Sequence, residues 1–315
     1  MGTPASPGSS EIDVVSDHDR GPSLTTSLIA FIRGNAVHAA FILFISIVTA
    51  SAQDLSVYAD RLRNGDVEQK REALFQLRNL RSEAASRIAV TALTDSSDIV
   101  RATAASSVVF LPPPDAARAL IPLLDDRAPF VRKEAAYSLG AAEANDAVNG
   151  LLSVMQRDKD LEVRSAAAAA VGMIGDQAAV PYLIAILKQK PSDDREFLRR
   201  SAARSIGQIA QHIRSGSSRV VTPQNFLPEK FKDVDLANAE LADSPAFRDA
   251  VDVLAKVLSN RSEAPDTRRE AAYALGALGD KTVIALLRNF AANPDPFMAE
   301  IARESLLRIE RPTGN

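Results

Sequence analysis

The stretch that decides the fold is Val163-Arg164-Ser165-Ala166-Ala167-Ala168-Ala169-Ala170-Val171-Gly172-Met173-Ile174-Gly175-Asp176-Gln177-Ala178-Ala179-Val180-Pro181-Tyr182-Leu183-Ile184-Ala185-Ile186-Leu187. Its first half has apolar and small residues at helical spacing. Gly175 follows, where a left-handed residue stops a helix. Asp176 then stands in N-cap position, as Asp146 and Asp280 do in other copies, and Gly279 repeats the stop. Pro181 falls in the first turn of a second helix, where a missing N–H is tolerated. Val180, Leu183, Ile184 and Leu187 give that helix an apolar face. The segment therefore predicts two antiparallel helices, A and B, joined by a tight turn.

The same pattern returns along the chain. Val100-Arg101, Val131-Arg132 and Thr267-Arg268 each open a copy, with a degenerate one at Leu198-Arg199. Lys70 opens an earlier copy and Ala299 a later one. The period is about 31 residues, the signature of a stacked repeat array, in which no unit buries its apolar face alone. The paired Ala residues suit helices that lie about 8–10 Å apart. Gly140, Gly172, Gly207 and Gly276 recur late in helix A. A second register runs through the turns. Asp95, Asp126, Asp158 and Asp193 each precede Arg101, Arg132, Arg164 and Arg199 by six residues. An Asp there can cap the next helix A and meet that Arg on its first turn. The spacing predicts a structural ladder of such pairs. A row of Arg is otherwise an anion-binding surface; the accompanying carboxylates favour the ladder.

The pattern V-R-x-x-A-A-x-x-L-G, then G-D-x-x-A-V-P-x-L-x-x-x-L, resembles the short HEAT-like repeat of the phycobilisome-lyase type. The resemblance covers roughly Asp66 to Arg311. It implies an all-α fold, an α-solenoid of about seven antiparallel helix pairs in one elongated domain. The expected boundaries are a solenoid over 53–311, a capping helix over 54–64 and a tail at 312–315. An insertion is expected at about 214–245 within the fifth repeat.

Residues 1–52 read differently. Arg33 and His38 precede a short apolar run, Ala39 to Ala52, that ends in Ala50-Ser51-Ala52. This is the form of a secretory signal peptide cleaved after Ala52, here behind a disordered N-terminal extension. Export to the periplasm or secretion is expected. The alternative is an inner-membrane anchor over residues 28–52, the chain's one expected membrane contact.

Composition excludes much chemistry. The 315 residues contain no Cys, no Trp and three His, namely His18, His38 and His212. Thiolate sites and disulfides are out. A helical-repeat di-iron hydroxylase needs several His-Glu pairs at matching positions, and no His here is followed by Glu. Neither a phosphate-binding Gly-rich loop nor a zinc ligand set occurs. From residue 53 onward 35 basic residues face 36 acidic ones, which does not favour nucleic acid.

No enzyme, cofactor or metal site is expected. The expected function is a non-enzymatic interaction scaffold in the bacterial envelope that holds another protein along a concave helix-B face. Arg118, Arg157, Tyr182 and Arg288 are candidate contacts there. Phe226, Lys230, Phe231 and Lys232 of the insertion are candidate docking residues. The alternative is an accessory or chaperone-like subunit for an enzyme or small ligand.

Overall fold

The computed structural model describes residues 55–215, 241 and 244–310. The expected signal segment, the tail and most of the insertion lie outside these. Among the described residues there is no strand. Helix α1, residues 55–64, leads in. It is followed by α2 (Val67–Asn79), α3 (Glu83–Ala89), α4 (Asp98–Ser107), α5 (Pro113–Leu120), α6 (Pro129–Ala141), α7 (Val148–Arg157) and α8 (Leu161–Ile174). Then come α9 (Val180–Leu187), α10 (Glu196–Ser215), α11 (Pro245–Ser259), α12 (Pro265–Leu278), α13 (Ile284–Ala291) and α14 (Pro296–Glu310). Six A/B pairs run from α2/α3 to α12/α13, and α14 closes the array as a lone A helix. The solenoid expected from the repeat is the fold.

Local chemistry sets the helix ends. Asp66 and Gln69 form a reciprocal capping box at the start of α2. The Asp160 carboxylate accepts from the Glu162 and Val163 N–H groups at the start of α8. Gly175 and Gly279, at φ 83° and 73°, end α8 and α12. Asp176 and Asp280 cap the turns that follow, as expected, by accepting from the Ala178 and Thr282 N–H groups. Asp146 caps nothing.

Successive A helices pack directly on one another, and the late glycines make this possible. A Cβ at Gly140 would lie 2.5 Å from the Ala170 Cα of α8, and one at Gly276 would lie 2.5 Å from the Ser305 Cβ of α14. Serines then stitch the layer across repeats. The Ser107, Ser205 and Ser305 hydroxyls donate to the carbonyls of Leu74, Ala168 and Ala272 on the preceding A helix, at 3.1, 2.8 and 2.9 Å.

The ladder exists, but its rungs are not the expected ones. Arg101 does not pair with Asp95. Its Nε and Nη2 bind both carboxylate oxygens of Asp126, in the next turn, at 2.7 and 2.9 Å. Its Nη1 donates to the Asp95 backbone carbonyl at 2.8 Å. Arg132 repeats this with Asp158 at 2.7 and 2.8 Å, and with the Asp126 carbonyl at 2.9 Å. Lys70 likewise binds Asp95 at 2.7 Å. Each Asp also accepts from a backbone N–H two residues on, that of Ser97, Ala128 or Asp160. One carboxylate therefore shapes its own turn and holds the repeat before it. The reason is distance along the stack: the next turn lies over the guanidinium fork, whereas the Arg's own turn offers it only a carbonyl.

The expected pairs of Arg164 with Asp158 and of Arg199 with Asp193 are absent too. Arg199, 3% exposed at its side chain, is bound by Glu263, 2% exposed, from the turn before α12. Glu263 stands five residues before Arg268 rather than six, and its extra methylene makes up the reach.

Two outcomes follow from this packing. Gly140→Ala puts a methyl against backbone that has no room to yield, so it should cost about 1–3 kcal/mol, read as a lower Tm. The second concerns acid. The Arg101 hydrogen bonds hold the Asp126 carboxyl below its ordinary range. Burial pushes the Asp95 and Asp158 carboxyls up, but Lys70 and Arg132 outweigh it and leave both lowered. A lowered folded value means stability that is full above the ordinary carboxylate pKa and is lost as pH falls through the lowered ones. Melting curves should thus fall steeply below about pH 4. Asp126→Asn should lower the neutral-pH Tm and flatten that fall.

Candidate functional site

In α8, α10 and α12 the positions one, two and five after the ladder residue are only partly covered. In α8 these positions are small, with Ser165, Ala166 and Ala169. In α10 and α12 they are mostly long and polar, with Arg200 and Arg204 beside Ser201, and with Arg269, Glu270 and Tyr273. Here the face carries Arg200, Arg204, Asp266, Arg269, Glu270, Tyr273, Glu300 and Arg308, flanked by Phe197 and Phe297. This is the candidate site.

Glu270 lies at its centre, beside Arg204. Burial pushes its carboxyl up, and Arg204, 3.4 Å away, and Arg200 offset this only in part. One helical turn on, burial also pushes up the Tyr273 phenol, against a lowering by Arg308. The Tyr273 hydroxyl donates to Gln211 Oε1 at 2.5 Å, and the Arg308 guanidinium lies 5.2 Å from the centre of its ring. Asp266 and Asp295 clamp Arg269. Phe197 and Phe297, 64% and 58% exposed, form the rim, with Arg200 and Arg269 stacked on them at 5.1 and 5.5 Å. Buried acid–base groups beside fixed charges mark functional sites more often than packing does.

The third repeat provides an internal comparison. Lys133-Glu134-Ala135-Ala136-Tyr137 matches Arg269-Glu270-Ala271-Ala272-Tyr273. Tyr137, however, is half exposed, and Lys133 turns to Glu162 at 2.8 Å. The same motif is open on α6 and enclosed on α12, because α10 and α14 bring Arg204, Gln211 and Arg308 over it. Sequence reading missed this site. The motif recurs at Lys133 to Tyr137 and Arg269 to Tyr273, so the sequence offered the pattern but not which copy is enclosed.

The residues expected to bind a partner are scattered. Arg118 is exposed and paired with Asp115 at 3.1 Å, and Arg288 is paired with Glu310 at 2.8 Å. Tyr182 is 39% exposed on α9, and Arg157 ends α7. These four converge on no shared cavity that the structure describes. Phe226, Lys230, Phe231 and Lys232 lie outside the described residues.

Nor does the donor set suit a di-iron centre. Among the described residues no group of three or more His, Cys, Asp or Glu could hold a metal ion, and His212 is the one His. Its ring rests against Gly175. Where Glu recurs two residues after the ladder position, a cation precedes it: Arg71-Glu72, Lys133-Glu134 and Arg269-Glu270. No His-Glu pair is available.

Comparison with known proteins gives a family and an enzyme relative. A model of HEAT repeats matches residues 55–140, 129–207 and 228–307. Deoxyhypusine hydroxylase-B of Oryza sativa subsp. japonica is 29% identical over 265 residues, 78% of this chain and 88% of that enzyme. Deoxyhypusine hydroxylase of Rattus norvegicus is 38% identical over 61 residues, 19% of this chain and 20% of its own length. Among solved structures, an engineered protein aligns with TM-score 0.51 at 21% identity over 82% of this chain and 69% of its own. Human deoxyhypusine hydroxylase in complex with glycerol aligns at TM-score 0.37 and 20% identity, over 84% and 98% of the two chains. The rice relative, similar along nearly its whole length, is an enzyme. That finding overturns both the expected non-enzymatic scaffold and the expectation of no enzyme. The matched repeats cover most of the chain, which belongs to the HEAT-repeat family.

Proposed function

We propose that the chain is an enzyme that acts on an amine-bearing side chain of the deoxyhypusine kind, through the A face of α10, α12 and α14. The observation that carries this reading is the similarity to the rice hydroxylase across 88% of that enzyme. The chemistry of the face supports it. A carboxyl raised by burial exchanges protons near neutral pH more readily than an exposed one. Glu270 is such a group, and an ammonium is a proton source. Phe197 and Phe297 offer ring faces to a cation, now covered by Arg200 and Arg269. Because the donor set lacks the His ligands of a di-iron centre, the reading rests on enzyme and substrate class and routes no step through iron.

The test is direct. The full chain is incubated in air with a peptide carrying deoxyhypusine and a two-electron reductant such as ascorbate, which takes the second oxygen atom of dioxygen to water, with and without ferrous iron, and the peptide mass is followed. Gain of one oxygen atom is expected. A peptide unchanged in mass under both conditions overturns the reading.

Glu270→Gln should abolish the gain. It should not destabilise the fold. A raised acid is one that folding prefers protonated, so its stability contribution declines as pH rises from the ordinary glutamate pKa towards the raised one. At neutral pH the amide therefore removes a cost, and Tm should hold or rise. A variant that is inactive yet at least as stable distinguishes a functional carboxyl from a packing one.

A further inference from the structure

Two ladder arginines, Arg164 and Arg268, bind no carboxylate among the described residues. At Arg101 and Arg132, Nε and Nη2 grip a carboxylate from the following turn while Nη1 takes a carbonyl from its own. Arg164 is turned the other way. Its Nε donates to the Met155 carbonyl at 2.8 Å. Among the described residues Nη1 and Nη2 find no hydrogen-bond partner, and neither is sealed from solvent. The cause lies in the next turn, which is longer: Arg199 follows Arg164 by 35 residues, against 31 or 32 earlier. Asp193 therefore points to solvent. Arg195, held in that turn by Gln189 at 3.0 Å, opposes the Arg164 charge, while Asp158, spent on Arg132, favours it without a hydrogen bond. Arg268 also lacks a carboxylate, but it lies over the Phe290 ring at 5.5 Å and its face is taken.

The same edge of the array carries further uncommitted cations. The turns entering α6 and α8 line a cleft of about 680 Å³. Within it Arg127, Arg157 and Lys159 have no ion-pair or hydrogen-bond partner among the described residues. Asp126 and Asp158 are consumed by the ladder and Asp160 caps α8, which leaves Asp125 as the uncommitted acid of that lining. In no other turn does a cation directly follow a ladder Asp: Ser96 and Asp194 stand in the equivalent places.

We propose that Arg164, with Arg195 across from it, is a seat for a carboxylate supplied from outside the array. The ligand does what Asp126 and Asp158 do inside it: it accepts from two guanidinium nitrogens and separates two cations. A planar fork presented to solvent suits a carboxylate, which it binds through two parallel hydrogen bonds. Two sources share this chemistry, an acidic side chain of a peptide and a small organic acid.

A fluorescein-labelled tetraglutamate peptide, titrated with the full chain at low ionic strength and read by anisotropy, tests the seat. Binding is expected, and Arg164→Gln should weaken it by about tenfold or more. Arg195→Glu places a carboxylate inside the rung, so it should weaken the peptide similarly and raise Tm. Because Arg195 lies in a surface turn, this variant remains informative even if Arg164→Gln folds poorly. Arg261→Glu, at an exposed and unpaired position elsewhere, should leave the affinity unchanged. Displacement by succinate identifies small acids as sufficient; displacement only by excess peptide identifies an acidic segment. Either result sustains the seat. Absence of peptide binding, an unchanged affinity in Arg164→Gln, or displacement by inorganic phosphate at lower concentration than succinate overturns it.

Discussion

Everything in this array depends on a carboxylate that serves two repeats at once. Asp126 folds its own turn through the Ala128 N–H group and receives the Arg101 fork from the repeat before. A cation and an acid that are both partly buried gain more from pairing than an exposed pair, and each costs more when left alone. The contact thus fixes the register between neighbours rather than adding a general stickiness. A repeat array has no central core to correct a slip, so register contacts of this kind at successive interfaces are the constraint that keeps the stack in one order.

The A layer supplies the other half. Glycines bring backbones together, and serines then hydrogen-bond across the gap. Neither device is strong alone, but both forbid a larger side chain at a defined place. On α10, α12 and α14 the same glycines and serines hold the layer together, while long polar side chains on the partly covered face enclose Glu270 and Tyr273. The candidate site is therefore built on the packing rule rather than against it, and α6 carries the same motif with Tyr137 left open.

Much of the fold was legible. The period, the Gly stops at 175 and 279 and the Asp caps at 176 and 280 are local chemistry, and local chemistry is written in neighbouring residues. Who pairs with whom was not. Asp95 and Arg101 are six residues apart, and proximity in sequence suggested a pair. The stack instead places Asp126 over Arg101, at a separation of 25 residues that only the three-dimensional offset between turns decides. The choice of Glu263 for Arg199 was further out of reach, since it crosses the insertion. The functional face was hidden for a related reason. Glu270 is ordinary in its own helix and is pushed up by burial in the array, which Arg204 and Arg200 of α10 only partly offset. Composition also misled. The shortage of His argued against metal chemistry and was extended to enzymes in general, an extension that the rice relative removes.

The Arg199–Glu263 pair has one more consequence. It joins Arg199 on α10 to Glu263 just after α11, the two helices that flank the insertion, so the ends of that segment are fixed independently of its length. Closing a loop costs entropy that grows only with the logarithm of its length, about 0.6 kcal/mol for each doubling. With the register secured by the ion pair, the length of that segment becomes nearly free to change. A solenoid built by strict repetition thus contains one place where evolution can lengthen, shorten or rewrite the chain without disturbing the order of the stack.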